Sequence, residues 1–232
     1  MTKLHVEALE RRDTPSWLGM AQNWINTAYT DTTSAISNWF HPNTTPQPTA
    51  AAAAARPGSI FIPIAGADKV APQNDSWSCG PNCAARFLQY YGVPITYEQA
   101  RYLATKVNNA PLEHPGQFGL GANPQALVNL IHEFKPLVQL KTEQSLDQLL
   151  DVLGQGKPVI ALVQPDPNSA ALHYVVVQGY NQKTQQIYYK DTDGITYTTS
   201  YYGFLKMWNW DVGFFLNGPY AVAGLLPRTM IY

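Results

Sequence analysis

The stretch QNDSWSCGPNCAARFLQYYG at 73–92 holds two cysteines four residues apart, and the first, Cys79, directly precedes a Gly-Pro pair that opens a helical pattern. A cysteine attacks as its thiolate, whereas a free thiol titrates near ~8.5, so the surrounding fold has to favour the charged form. A helix N-terminus does so, because its first N–H groups lack intrahelical partners and carry the positive end of the helix dipole. With Pro81 at the first helical position, the Cys79 sulfur is expected at that tip. Cys83 falls a full turn inside the helix beside Ala84, the place of a small buried apolar residue. A Cys79–Cys83 disulfide would have to close within one turn, against the direction of the side chains.

A thiolate also needs a group that takes a proton and returns it to a leaving amine, the usual task of histidine near neutral pH. Of the five histidines, His5 and His41 precede the main domain, His114 lies in the loop LEHPGQ, and His132 belongs to an amphipathic helix. Histidines in such places are more often solvated or structural. His173 instead opens the β pattern LHYVVVQGY at 172–180. If that segment pairs with QQIYYKD at 185–191 through an odd-length turn such as NQK, centred on residue 182, residue 191 comes to face residue 173. Asp191 would then accept the Nδ1–H of the imidazole and fix its tautomer. Asp193, on the same face but diagonal to His173, is the second candidate. Spacing leaves open a plainer reading, in which Asp191, Asp193 and Gly194 only build a turn in DTDG. Stabilising a developing oxyanion falls to Gln73, six residues before Cys79, together with the Cys79 backbone N–H, and Asn74 and Asn82 are nearby substitutes.

The elements that must position these groups show in periodicity and capping. A helix over Pro81–Tyr91 has Ala84, Phe87, Leu88 and Tyr91 on one face and is stopped by Gly92, with Pro94 beyond. Further helices are expected from Thr96 (TYEQARYLATKV), from Asn123 and Pro124 (NPQALVNLIHEF) and from Ser145 (SLDQLLDVLGQG). Extended runs follow at 157–164, 172–180 and 185–191, with a short strand at 59–64 before the helices, and VGFFLNG and YAVAGLL near the end could extend the sheet. Helices first and an antiparallel sheet second define an α+β domain.

That domain is expected over 57–232. Before it, residues 1–56 end in the Pro, Thr and Ala tract TTPQPTAAAAAARPG, which reads as a linker. Upstream, Trp17, Met20, Ala21, Trp24, Ile25, Ala28 and Tyr29 recur at helical spacing, and such an apolar face needs a cover. A helix docked on the neighbouring domain and a propeptide or targeting segment over an active-site groove are both open.

Lys and Arg total 15 against 16 Asp and Glu, a net charge of -1, so no summed field draws in nucleic acid or an anionic membrane. No apolar run reaches the ~18 to 20 residues of a membrane span, and the start lacks the apolar stretch of a Sec signal. The chain reads as soluble. The Cys-x-x-Cys spacing of zinc and thiol redox sites is absent, and no metal or other cofactor is called for.

Four motifs in fixed order, QNDSWSCGP (73–81), GKPVIALV (156–163), LHYVVVQGY (172–180) and YYKDTDG (188–194), resemble those of the papain-like C39 and C39-like peptidases. The resemblance runs from about 59 to 226. It implies a papain-like fold, with Gln73 in the oxyanion hole, Cys79 as nucleophile, His173 as general base and acid, and Asp191 as the orienting residue. Two positions depart from that pattern: Ser78 stands where the family often has an acidic residue, and Thr192 where it commonly has proline. The exporter-fused members that trim leader peptides after Gly-Gly span membranes and this chain does not, so that specificity is not carried over. VEALERRDTPS also resembles a short tag at the start of some bacterial extracellular proteins, which would argue for export.

The expected activity is hydrolysis of a peptide or protein substrate, the chain's own N-terminal segment included, through an acyl-enzyme. Acyl transfer or amide ligation by the same residues, and a binding module without turnover, are the alternatives.

Overall fold

The structure, a computed structural model, describes residues 56–108, 122–167, 171–210 and 226–232. The amphipathic segment at 16–31, most of the linker, His5, His41, His114, VGFFLNG and all of YAVAGLL but its last residue lie outside the described residues.

Strand β1 (Ser59–Phe61) leads through a long loop to helix α1 (Cys79–Tyr90), followed by α2 (Tyr97–Asn108) and α3 (Pro124–His132). Then come β2 (Leu140–Lys141), α4 (Leu146–Gly154), β3 (Val159–Val163), β4 (His173–Asn181), β5 (Gln186–Lys190), β6 (Thr196–Ser200), α5 (Tyr201–Trp208) and β7 (Met230–Ile231). Among the described residues the strands form one antiparallel sheet in the order β2-β7-β3-β4-β5-β6, and β1 also pairs with β4. The α+β architecture expected from the sequence is the one observed.

Helix starts follow the caps written in the sequence. The Asn123 side chain accepts from Ala126 N at 2.7 Å ahead of Pro124. Ser145 and Gln148 form a reciprocal capping box, at 3.2 and 2.7 Å. Helix α1 departs from expectation at its start: it begins at Cys79, two residues before Pro81, and Gly92 ends it with φ of +80°. The single apolar face expected of it is also too narrow. Every residue from Cys79 to Leu88 is buried, because α1 packs against β4 on one side and against α2 and α3 on others.

Strand β3 is buried throughout and β4 everywhere except its two ends, as a central strand covered on both faces requires. The strand expected at 59–64 is shorter, and β2, β6, α5 and β7 were not anticipated.

The β4–β5 hairpin differs from the expected register. Its loop is Gln182–Gln185, closed by the pair Asn181 and Gln186, not a three-residue turn. From there Tyr180 faces Ile187 and Gly179 faces Tyr188, but beyond Gln178 Val177 faces Tyr189 and Val176 faces Lys190. Gln178 is a bulge of one residue. Continued one step outward, the ladder sets Asp191 level with Val175, two residues from the expected partner His173. Without the bulge Asp191 would fall level with Val176 and so on the opposite side of the pleat from His173.

The bulge sits where β1 crowds the hairpin. A Cβ on Gly179 would meet the Ile60 carbonyl oxygen at 2.1 Å, so only glycine lets β1 lie so close. Ile62 N then donates to the carbonyl of the bulged Gln178 itself, at 2.6 Å.

Candidate active site

Cys79 occupies the first position of α1 and is 9% exposed. Its turn is held from upstream by Asp75, whose Oδ1 accepts from Trp77 N (2.9 Å), Ser78 N (2.8 Å) and Ser78 Oγ (2.7 Å). The other carboxylate oxygen lies 3.0 Å from Arg101, whose guanidinium stacks over the rings of Trp77 and Tyr97. Ser78, fully buried, also hydrogen-bonds Tyr97 through its hydroxyl. The position where the family often carries an acid is thus a buried serine, and the acid that organises the turn stands three residues earlier. Burial alone would raise the Asp75 carboxyl; the hydrogen bonds from Ser78 and Trp77 and the charge of Arg101 outweigh it and hold the group below its usual range.

His173 begins β4 and is bonded to Asp191, Nε2 to Oδ1, at 2.6 Å. The diagonal offset set by the bulge is therefore bridged by the side chains, which diagonal neighbours across a ladder can reach. The nitrogen in contact is Nε2, where Nδ1 was expected, and the Cys79 thiol acts on the same ring. Burial opposes charge on the ring, but the bonds to Asp191 and Cys79 prevail and push His173 up to about 10. Asp191 moves the other way: burial would raise it, yet the His173 bond and charge and the donors of Thr192 lower it. Those donors are Thr192 N at 2.6 Å and Thr192 Oγ1 at 3.3 Å, both onto Oδ1. Proline, with no N–H, could not supply the first.

The sequence left open whether DTDG only builds a turn; it does build one, and its Asp191 side chain also reaches His173. Asp191 N donates to Ile195 O (3.1 Å) and Gly194 N to Asp191 O (3.0 Å), closing the β5–β6 turn. Asp193 is used up within it, accepting from Ile195 N and from the Tyr197 hydroxyl, each at 2.7 Å.

The remaining sequence candidates are placed as follows. Gln73 lies on the loop before α1, its backbone N–H 3.0 Å from Thr192 O, and its Nε2 donates to Asp75 O at 2.7 Å and to Asp75 Oδ1 at 3.4 Å. Asn82 is fully buried and committed, donating to Ala71 O (2.9 Å) and accepting from Arg86 Nε (2.9 Å). Exposed Asn74 accepts from the Tyr97 hydroxyl at 3.3 Å. His132 Nε2 pairs with Val138 O at 2.9 Å at the end of α3. Cys83 is buried and unoxidised, with its thiol on Tyr174 O at 3.2 Å; burial and the charges of Cys79 and Asp191 push that thiol well up.

A thiol at a helix start, an imidazole beside it and a carboxylate behind the imidazole can pass a proton from sulfur to nitrogen and keep the resulting pair of charges. Among the described residues no cluster of His, Cys, Asp and Glu could hold a metal ion, and no helix is long and apolar enough to cross a membrane.

Cys79-bearing helix, antiparallel sheet and histidine strand together define an α+β fold of the papain-like class. The chain belongs to the C39-like peptidases: the model of the Peptidase_C39 like family matches residues 69–211. A crystal structure of a Bacillus anthracis protein assigned to the C39-like peptidases is similar in fold, with a TM-score of 0.50 and 18% identity, covering 65% of this chain and 92% of that one. No curated protein matches the sequence.

Proposed function

We propose that this chain is a cysteine peptidase that cleaves peptide bonds through a thioester acyl-enzyme, with Cys79 as nucleophile and His173 as base and acid. The observation that carries this reading is the 2.6 Å bond between His173 and Asp191, with the Cys79 thiol at the start of α1 acting on the same imidazole. Proton transfer from Cys79 to His173 Nδ1 leaves a thiolate facing an imidazolium that Asp191 stabilises from the far side. The sulfur adds to the substrate carbonyl carbon, and the oxyanion is met by the Cys79 N–H, which as the first of the helix has no intrahelical acceptor. Gln73 is the second donor, once its Nε2, which here donates to Asp75 O (2.7 Å) and Oδ1 (3.4 Å), swings to the oxyanion. Collapse breaks the C–N bond, the imidazolium protonates the departing amine, and water activated by the neutral imidazole releases the acid.

The test uses the full-length protein and its Cys79→Ala variant, incubated alone and with a peptide mixture, with products mapped by mass spectrometry. Cleavage by the wild type only supports the reading, and cuts between about residues 41 and 58 identify the N-terminal segment as a propeptide. Equal cleavage by both proteins refutes it. Added amines appearing in the products would turn the assignment to acyl transfer.

A further inference from the structure

Arg86 is fully buried on α1, seven residues after Cys79 and so on the same side of the helix two turns deeper. Among the described residues no carboxylate lies within ion-pair distance of its guanidinium. Its nitrogens are instead spent on four neutral oxygens: Asn82 Oδ1 (2.9 Å), Ala65 O (2.6 Å), Val70 O (3.1 Å) and Thr192 O (3.2 Å). Burying a cation this way is costly, and a structure that needed only to fill the space would do better with an apolar side chain.

The acceptors explain the arrangement. Ala65 and Val70 belong to the loop that leads to Gln73, and Thr192 directly follows Asp191. The Thr192 carbonyl is shared, taking the Arg86 fork from one side and Gln73 N (3.0 Å) from the other. Gly194 of the same turn is pressed on the loop, since a Cβ there would meet Ala67 N at 2.6 Å. One planar fork with fixed donor directions therefore ties two chain segments, the loop to Gln73 and the turn after Asp191, to the helix that carries Cys79. The titratable groups near it are Asp68 on the loop, Asp191 and Asp193 on the turn, and the Cys83 thiol on its own helix, with Lys190 at the end of β5.

We propose that Arg86 is a positioning residue, which aims the Asp191 carboxylate at His173 by holding the Thr192 carbonyl at a set place relative to Cys79. This rests on the peptidase reading, in which the aim of Asp191 matters, and it assigns a task to a residue that touches neither substrate nor reacting atoms.

The test follows the His173 ring by NMR titration of histidine-labelled full-length protein, which needs no substrate. It compares wild type, Arg86→Lys, Arg86→Met, Asp191→Asn and the Arg86→Met/Asp191→Asn double variant. Arg86→Met is expected to lower the His173 titration point by about one unit or more, in the same direction as Asp191→Asn, and Arg86→Lys by less. In the Asp191→Asn background Arg86→Met should add no further shift, because both act through the same contact. A folded Arg86→Met protein with the wild-type titration point, or additive shifts in the double variant, overturns the inference alone. Loss of the fold in both Arg86 variants overturns it too, since Arg86 would then serve the domain as a whole. A wild-type ring titrating like a free imidazole overturns the peptidase reading and this inference with it.

Discussion

His173 and Asp191 are bonded at 2.6 Å although the β4–β5 ladder leaves them two residues out of step. The one-residue bulge at Gln178 sets the parity and the side chains close the remaining distance. Asp191→Asn keeps the shape of the contact but removes the charge that holds the imidazolium. His173 is raised, so its charged state adds stability in full below about 6.5, and that stability is lost as pH climbs through about 10. The variant should give up this neutral-to-alkaline contribution, move the alkaline limb of peptidase activity down toward neutrality and lose about 10²-fold or more in kcat. Activity against pH and unfolding at several pH values check it; an unmoved alkaline limb would separate Asp191 from the chemistry.

The candidate residues Cys79, His173 and Asp191 could be picked out because each carries a local sign: a Gly-Pro helix start, a histidine at the head of a β run, an acid at the end of the next. The parity of the hairpin was legible only in outcome. The expected odd turn does not form, and the parity is supplied by a bulge beside β1, whose approach at Gly179 is a tertiary contact with no local signature. Arg86 sits among apolar residues in the sequence, and nothing there distinguishes a buried fork from a solvated arginine. Asp75 was passed over for a similar reason, since an acid in a polar loop looks like any other until one of its oxygens is seen to gather four donors. Strand β6 (TYTTS) is half exposed and lacks apolar alternation, and α5 is aromatic and holds a glycine; burial of Phe204 and Trp208 and the Ser200 cap at 3.0 Å make up for weak propensity.

The two cysteines should differ sharply toward an alkylating reagent. Cys79 lies at a helix tip with an imidazole to take its proton, whereas Cys83 is fully buried, donates to Tyr174 O and is pushed away from ionisation by that burial. Iodoacetamide on the native protein near neutral pH is expected to label Cys79 and spare Cys83, with both labelled after unfolding. Peptide mapping reads the result, and equal native labelling would show that Cys83 is not the inert core residue its surroundings make it.

Gly179 is where β1 and the bulged hairpin meet, and the 2.1 Å approach that a Cβ would make is to backbone, which cannot rotate away. Gly179→Ala should therefore cost about 2–4 kcal/mol in denaturant unfolding, by pushing β1 off β4. Gly58→Ala, where a Cβ would meet nothing within 4 Å, is the control and should stay within about 0.5 kcal/mol of wild type. Similar costs at the two positions would mean that β1 gives way easily and that the bulge does not depend on it.

Acid should weaken the site's frame before it weakens the core. Asp75 receives two backbone N–H groups and the Ser78 hydroxyl and faces Arg101 at 3.0 Å, and its carboxyl titrates below its usual range. A depressed carboxyl contributes stability above its unfolded value, about 3.9, and loses it as pH falls through the folded value. Asp191 shifts in the same direction, so the two losses fall in the same acid window. Asp75→Ala is expected to lower stability by about 1–3 kcal/mol at neutral pH, because the Trp77 and Ser78 donors lose their acceptor. It should also show a shallower fall of stability below about pH 4 than wild type does. Unfolding followed from pH 7 to 3 measures both. Parallel acid limbs in the two proteins would mean that Asp75 binds its proton equally in the folded and unfolded chain, and the capping of the Cys79 turn would then owe nothing to its charge.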